Sequence, residues 1–438
     1  MPAKLKLITA VMMIVNGSIS SATELDVIAF SETKYTSNAK LSSFDAKEDV
    51  IERIGLNVLL KEARKRFDAD AEFKIEQEFY LNNTFSDETN ITTGIGIFNF
   101  DIIEDFLDWR TSFTRRQILT DASVADTPEN RGERDILRTG PSINYRMNPS
   151  SRFLFGVNFI QVENSDEQSA DTKRVEGSAG YVYQYNSLTS VSLNSTYDKI
   201  IESNYDDPSI IRNDDDIQNM GLNIGVNRAF TNGQFGLFFG QNRIESDGRD
   251  TTSGNFFSLY LQKQQFFWHE LELNYSESLS DSSLGFDALQ SINNVDVNQN
   301  FSERSSVLDI IKRKRFGASV AREVDLFRYE FFGRWIDKDY SLQPNDERSL
   351  FLGVNMSHNV SKALKLSLRY QNNREKFLER LAETTNLTSI YSLEGLYKFT
   401  KQVSFVGSLG YEKRKNNNNN FSEYERFTTA FTVNMTIF

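Results

Sequence analysis

The sequence predicts an all-β fold: a single transmembrane antiparallel β-barrel of about 20 strands (18–22), with short periplasmic turns and long extracellular loops. Three observations predict it. Long stretches alternate apolar and polar residues with a period of two. The joints between them alternate short and long. After residue 22 no apolar run approaches the ~20 residues that a membrane helix requires.

Composition narrows the class. The 438 residues include no Cys, which suits a chain that crosses an oxidising compartment. Apolar residues are 39% and mean hydropathy is −0.47, too polar for a bundle of membrane helices. Aromatics reach 13% while Pro numbers only 6, a bias that favours strands. A formal charge of −12 argues against a nucleic-acid partner, which would need a basic face.

The N-terminus reads as a signal peptide over residues 1–22, with the barrel over 23–438. Lys4 and Lys6 precede the apolar run Leu7 to Val15, and Ser20-Ser21-Ala22 supplies small residues for cleavage near Ala22. That export signal, together with the barrel pattern, implies the outer membrane of a Gram-negative bacterium. Val27 to Tyr35 already alternates as a strand, so no plug domain is expected before the barrel.

The clearest strand is Phe67 to Leu81. Phe67, Ala69, Ala71, Phe73, Ile75, Phe79 and Leu81 share one face. Asp68, Asp70, Glu72, Lys74, Glu76 and Glu78 share the other. A globular strand is typically ~5–6 residues, whereas a tilted membrane strand needs ~9–11. The same alternation recurs at Ile54–Leu60, Phe153–Phe159, Phe327–Trp335, Leu364–Tyr370 and Phe427–Ile437. The apolar face is expected to meet lipid and the polar face to line the interior.

Short joints fall at Asn148-Pro149-Ser150, Asn186-Ser187, Thr231-Asn232-Gly233, Glu323 to Leu326, Asn359 to Lys362 and Thr400 to Gln402. Long polar loops are expected at Asp121–Glu133, Glu202–Asp216, Asp337–Arg348 and Asn416–Asn420. Both ends of the barrel in the periplasm require an even strand number, so Val295–Phe301 is read as non-spanning. Phe438 fits a C-terminal signal to the barrel-assembly machinery, although Ile437, Met435 and Val433 run one residue out of step with it.

No catalytic, cofactor or metal site emerges. His269 and His358 read as interfacial side chains. Asp206-Asp207 and Asp214-Asp215-Asp216 lack the spaced ligands of a calcium loop and read as solvated charge. The interior carries the chemistry: acids on the third strand face Arg110, Arg116, Arg138, Arg146, Arg152 and Arg174 on the next few. Arg328, Arg334 and Arg369 add bases further on. Such a mixed lining either orients polar solutes by its field or braces the wall with internal ion pairs. Phe286, Leu289, Ile292 and Val295 are too apolar for a loop in water, and their segment is expected to fold inward as a constriction.

Glu32-Thr33-Lys34-Tyr35-Thr36-Ser37-Asn38 and Arg138-Thr139-Gly140-Pro141-Ser142-Ile143-Asn144-Tyr145, with the paired-strand layout, resemble the β-barrel porins encoded with exopolysaccharide and exosortase systems. The family more often has Asp where Ser37 stands. The resemblance implies a role in extracellular polysaccharide production or export, and it carries over no catalytic residues. Two functions stay open, a porin-like channel for polysaccharide or small polar solutes and a structural or surface-binding barrel without transport. An enzyme ranks behind both. The expected partners are outer-membrane lipid and lipopolysaccharide.

Overall fold

The computed structural model describes residues 23–120, 124–165, 171–204, 217–246, 251–281, 309–341, 346–378, 383–417 and 423–437. The chain opens with β1 (Thr23–Thr36), β2 (Asp49–Arg64), β3 (Phe67–Tyr80), β4 (Glu88–Ile103), β5 (Leu107–Leu119), β6 (Arg131–Asn148) and β7 (Ser151–Asn164). It continues with β8 (Asp171–Asn186), β9 (Thr189–Asn204), β10 (Ile217–Phe230), β11 (Gly233–Ser246), β12 (Thr252–Phe266), β13 (His269–Asp281) and β14 (Ile310–Val324). The last six are β15 (Phe327–Tyr340), β16 (Asp346–Asn359), β17 (Leu364–Leu378), β18 (Glu383–Lys398), β19 (Val403–Asn416) and β20 (Tyr424–Thr436).

Each strand pairs antiparallel with its neighbours in sequence, and β1 pairs with β20, from Ile28 opposite Thr436 to Thr36 opposite Thr428. The sheet is therefore a closed 20-stranded barrel, as predicted, and closure leaves no edge unpaired. Residues 1–22, Asp206 to Asp216, the segment holding Phe286, Leu289, Ile292 and Val295, and Phe438 lie outside the described residues.

One contact identifies the inner face. Arg174 on β8 bonds Asp281 on β13, five strands away, and in a closed wall such a contact runs through the interior. Register then carries the assignment around the barrel, because directly paired residues point to the same side. The other side bears a continuous apolar surface: Leu222 and Ile224, Phe155 and Phe159, Leu366 and Leu368 are all exposed there. A patch of that extent does not persist in water; around a barrel it is the lipid contact.

Aromatic residues cap this band at both ends. At the short turns, Phe267, Trp268, Phe399 and Tyr185 are the most exposed, Trp268 at 83%. His269 belongs to this belt: its Nε2 lies 3.0 Å from the Tyr329 hydroxyl, and its Nδ1 lies 2.7 Å from the Phe267 carbonyl. His358 stacks obliquely near Phe327 in the same belt, with ring centroids 6.3 Å apart. At the other end Tyr370, Tyr391 and Tyr411 form a cross-strand ladder, with centroids 4.8 and 6.2 Å apart.

The strands outrun the apolar band, which corrects the expected loop limits. Asp337 to Tyr340 belongs to β15 and Asp346 to Arg348 to β16, with Asp337 paired to Arg348. Arg131 to Glu133 likewise belongs to β6. Backbone hydrogen bonding continues beyond the membrane, where the outward side chains turn polar and the two-residue apolar signal ends.

Pro141 sits within β6 without an amide hydrogen to donate. The β6–β7 ladder lapses there, between Thr139–Phe159 and Ser142–Gly156. A Cβ on Gly140 would lie 1.9 Å from the Val157 carbonyl oxygen, so only glycine allows this approach.

Candidate functional site

The charged part of the interior is braced by ion pairs. Arg53 stands between Glu32 and Glu78 on adjacent strands: its Nη1 donates to Glu32 at 3.0 Å and its Nε donates to Glu78. Lys74 forms an ion pair with Glu76 at 2.7 Å and lies 5.0 Å over the Phe30 ring. Glu72 accepts from the Asn57 amide at 3.2 Å. Asp68 and Asp70 are exposed nearer the short-turn end, opposite Ala63 and Lys61 of β2.

The predicted arginines spread over several strands. Arg110 stands opposite Asn99 and Gly140, and Arg116 opposite Arg134. Arg138 reaches across β7 to pair with Glu176. Arg146 and Arg152 face each other directly, both exposed, near the short-turn end. Arg328 pairs with Glu270 at 3.0 Å, Arg334 stands opposite Gly317, and Arg369 donates to Gln371 at 2.7 Å. Asp68 to Glu78 and the nine arginines thus share the inner face, but they form several pairs and no single ring.

A different wall faces them, and charge-seeking alone misses it. The inward residues of β10 are Asn219, Gly221, Asn223, Gly225, Asn227 and Ala229. Those of β11 are Gln234, Gly236, Phe238, Gly240 and Asn242. Those of β12 are Gly254, Phe256, Ser258, Tyr260 and Gln262. No charged side chain interrupts these three rows. The spacing of Asn and Gly at every second position of β10 is the sequence signal that finds them.

Small and large residues interlock on this wall. The Phe238 ring lies over Gly225, where an added Cβ would come within 2.3 Å of it. The Tyr260 ring lies over Gly236 in the same way, at 2.2 Å. Each glycine gives an aromatic ring room to lie along the wall with one face toward the interior. The polar groups are oriented by each other. Tyr260 donates to Asn227 at 2.9 Å, Asn194 of β9 donates to Asn223 at 3.1 Å, and Gln234 donates to Gln262 at 3.2 Å. Amides hold both donors and acceptors, so such a surface can satisfy hydroxyls without a fixed charge.

Two pieces of chain fold inward over the long-loop end. The tip of β13 leaves β12 beyond Glu277 and stays paired to β14 alone. Leu279 there packs on Gly254, and with Ile310 it joins Ile200, Ile217 and Ile244 in a buried cluster. Arg174 clamps the tip, donating to Asp281 at 2.8 and 2.9 Å and to Asp198 at 2.8 Å. From the other side, the β5–β6 connection brings Val124 to Arg414 of β19, which donates to its carbonyl at 3.1 Å. Ala125 packs there with Leu41 and Tyr424. The stem of the segment predicted to form a constriction therefore turns inward at Leu279 and Ile310.

No protein-family model matches the chain, and no curated protein matches it. Among solved structures it is similar to a variant of the ferric enterobactin receptor PfeA of Pseudomonas aeruginosa, with a TM-score of 0.50 at 8% identity over 96% of this chain and 81% of that one. It is also similar to the outer membrane protein OpdK of Pseudomonas aeruginosa, at 9% identity and a TM-score of 0.39 over 94% and 99%. A loop-deletion variant of the Vibrio cholerae outer membrane protein OmpT aligns at 10% identity and a TM-score of 0.36, over 95% and 100%. The chain has the fold of outer-membrane β-barrels, and its exposed apolar band is the surface with which such a barrel meets lipid.

Proposed function

We propose that the protein is a non-catalytic, porin-like channel whose neutral wall guides uncharged polar solutes of the carbohydrate class. The observation that carries this reading is the charge-free face of β10–β12, with Phe238, Phe256 and Tyr260 set among amides and glycines. Sugar rings offer C–H faces to aromatic rings and hydroxyls to amides, which this wall supplies together. A fixed charge would instead favour ions. Extracellular polysaccharide export is the form of this reading that the sequence resemblance implies. The paired charges elsewhere on the interior brace the wall around the path.

Proteoliposome swelling tests the proposal. Vesicles holding the refolded protein should swell faster in a neutral disaccharide than in an anionic sugar acid of similar size. Equal rates for the two, or faster entry of the acid, would remove the role of the neutral wall. A second reading, a braced barrel without transport, is favoured by the Arg174–Asp281 and Arg414–Val124 contacts across the mouth. It predicts no swelling in either solute.

A further inference from the structure

We propose that the outer face of β17–β19 binds the phosphate groups of lipopolysaccharide through Arg374 and Lys415. The inference rests on the outer-membrane placement above and not on transport. Register puts Arg374, Leu387 and Lys415 in one row, with Arg374 opposite Leu387 and Leu387 opposite Lys415. All three are exposed, while their inward neighbours Asn386, Thr388, Arg414 and Asn416 are buried. The row therefore points outward.

Its depth follows from the tyrosine ladder. Tyr370, Tyr391 and Tyr411 lie four residues below on the same three strands, at the level where such rings meet the headgroups. Four residues of tilted strand rise roughly 10 Å, which sets the two cations among the phosphates and sugars of the outer leaflet. Leu387 between them, and Leu350 opposite Arg374 on the other side, make the same row apolar between and beside the charges.

Charge compensation singles these two out. Lys376 is paired with Glu383, Lys413 with Glu425, and Arg348 with Asp337. Among the described residues, Arg374 and Lys415 form no direct ion pair; the acids within reach of their fields, Glu383 and Glu425, are already bound by Lys376 and Lys413. They stand two strands apart, roughly 10 Å, a gap that their long side chains can close around one bis-phosphorylated disaccharide headgroup.

The test uses the full-length barrel, refolded in detergent, and native mass spectrometry with two probes, bis-phosphorylated and monophosphorylated lipid A. Wild type should retain the bis-phosphorylated lipid preferentially. The Arg374→Gln/Lys415→Gln double variant should hold it roughly thirtyfold more weakly, as expected for two basic side chains at an anionic surface. Arg243→Gln, on the outer face of β11 and paired with Glu245, should change nothing. Equal retention of the two lipids, or equal retention by wild type and the double variant, would overturn the proposal. If the wild type does not insert into vesicles as a folded barrel, the membrane placement fails with it; insertion without phosphate preference defeats the phosphate site alone.

Discussion

Arg174 of β8 and Asp281 of β13 join strands a quarter of the barrel apart through a bidentate ion pair that is closed to solvent, with side-chain exposures of 0% and 3%. Asp198 shares the guanidinium from β9. The pair fixes the inward tip of β13 above the neutral wall, where Leu279 meets Gly254. A buried pair of this kind is costly to break on one side, because the remaining charge keeps its burial and loses its partner.

Asp281→Ala should therefore release the tip and widen the path. Single-channel conductance should rise and its open-state noise should increase. The folded barrel should also lose about 3–5 kcal/mol at most, the range for one-sided removal of a buried ionic partner. Conductance identical to wild type would show that the tip does not narrow the path.

Arg53 makes the comparable bridge within the wall, between Glu32 and Glu78. Arg53→Ala leaves two carboxylates in one row on either side of β2, Glu32 on β1 and Glu78 on β3, and should lower the urea midpoint for unfolding from vesicles. Glu32→Gln in the same background should recover part of the loss by removing the repulsion. An additive double variant would indicate that the three groups do not act together.

Gly236→Val should disturb the neutral wall locally, since the new side chain occupies the space of the Tyr260 ring. The tyrosine is pushed off Asn227, and block of the ionic current by a linear oligosaccharide should weaken. Tyr260→Phe, which keeps the ring and loses only the hydrogen bond, should have the smaller effect. The reverse order would place recognition on the hydroxyl alone.

The two-residue turn between β12 and β13 is built from Phe267 and Trp268, both with positive φ, 47° and 72°. Asn-Gly is the favoured pair for that geometry, while an aromatic residue in the left-handed region costs about 1–2 kcal/mol. Replacing Phe267-Trp268 with Asn-Gly should stabilise the barrel in detergent and slow its insertion into lipid vesicles, because two interfacial anchors are lost. Faster insertion of the variant would contradict the anchoring role.

Much of this architecture was legible in the chain. Apolar residues at Ile54–Leu60 or Leu364–Tyr370 alternate because they touch lipid on one side only, and the short turns are too brief to hide. The strand ends at Asp337 and Arg348 were not legible, since outside the membrane both faces are polar and only backbone pairing continues. The inward tip was half visible. The segment Phe286 to Val295 lies outside the described residues, and the anchor of the tip depends on Arg174, more than a hundred residues earlier in the chain. The neutral wall is faint in the sequence because Asn and Gly carry no charge, and only their strict spacing on β10 marks it.

Planar-bilayer recording of the refolded protein tests the central claim most directly. The account predicts discrete conductance steps that a neutral oligosaccharide reduces from either side, with larger steps in Asp281→Ala. A folded, inserted barrel that conducts in neither wild type nor Asp281→Ala would contradict it.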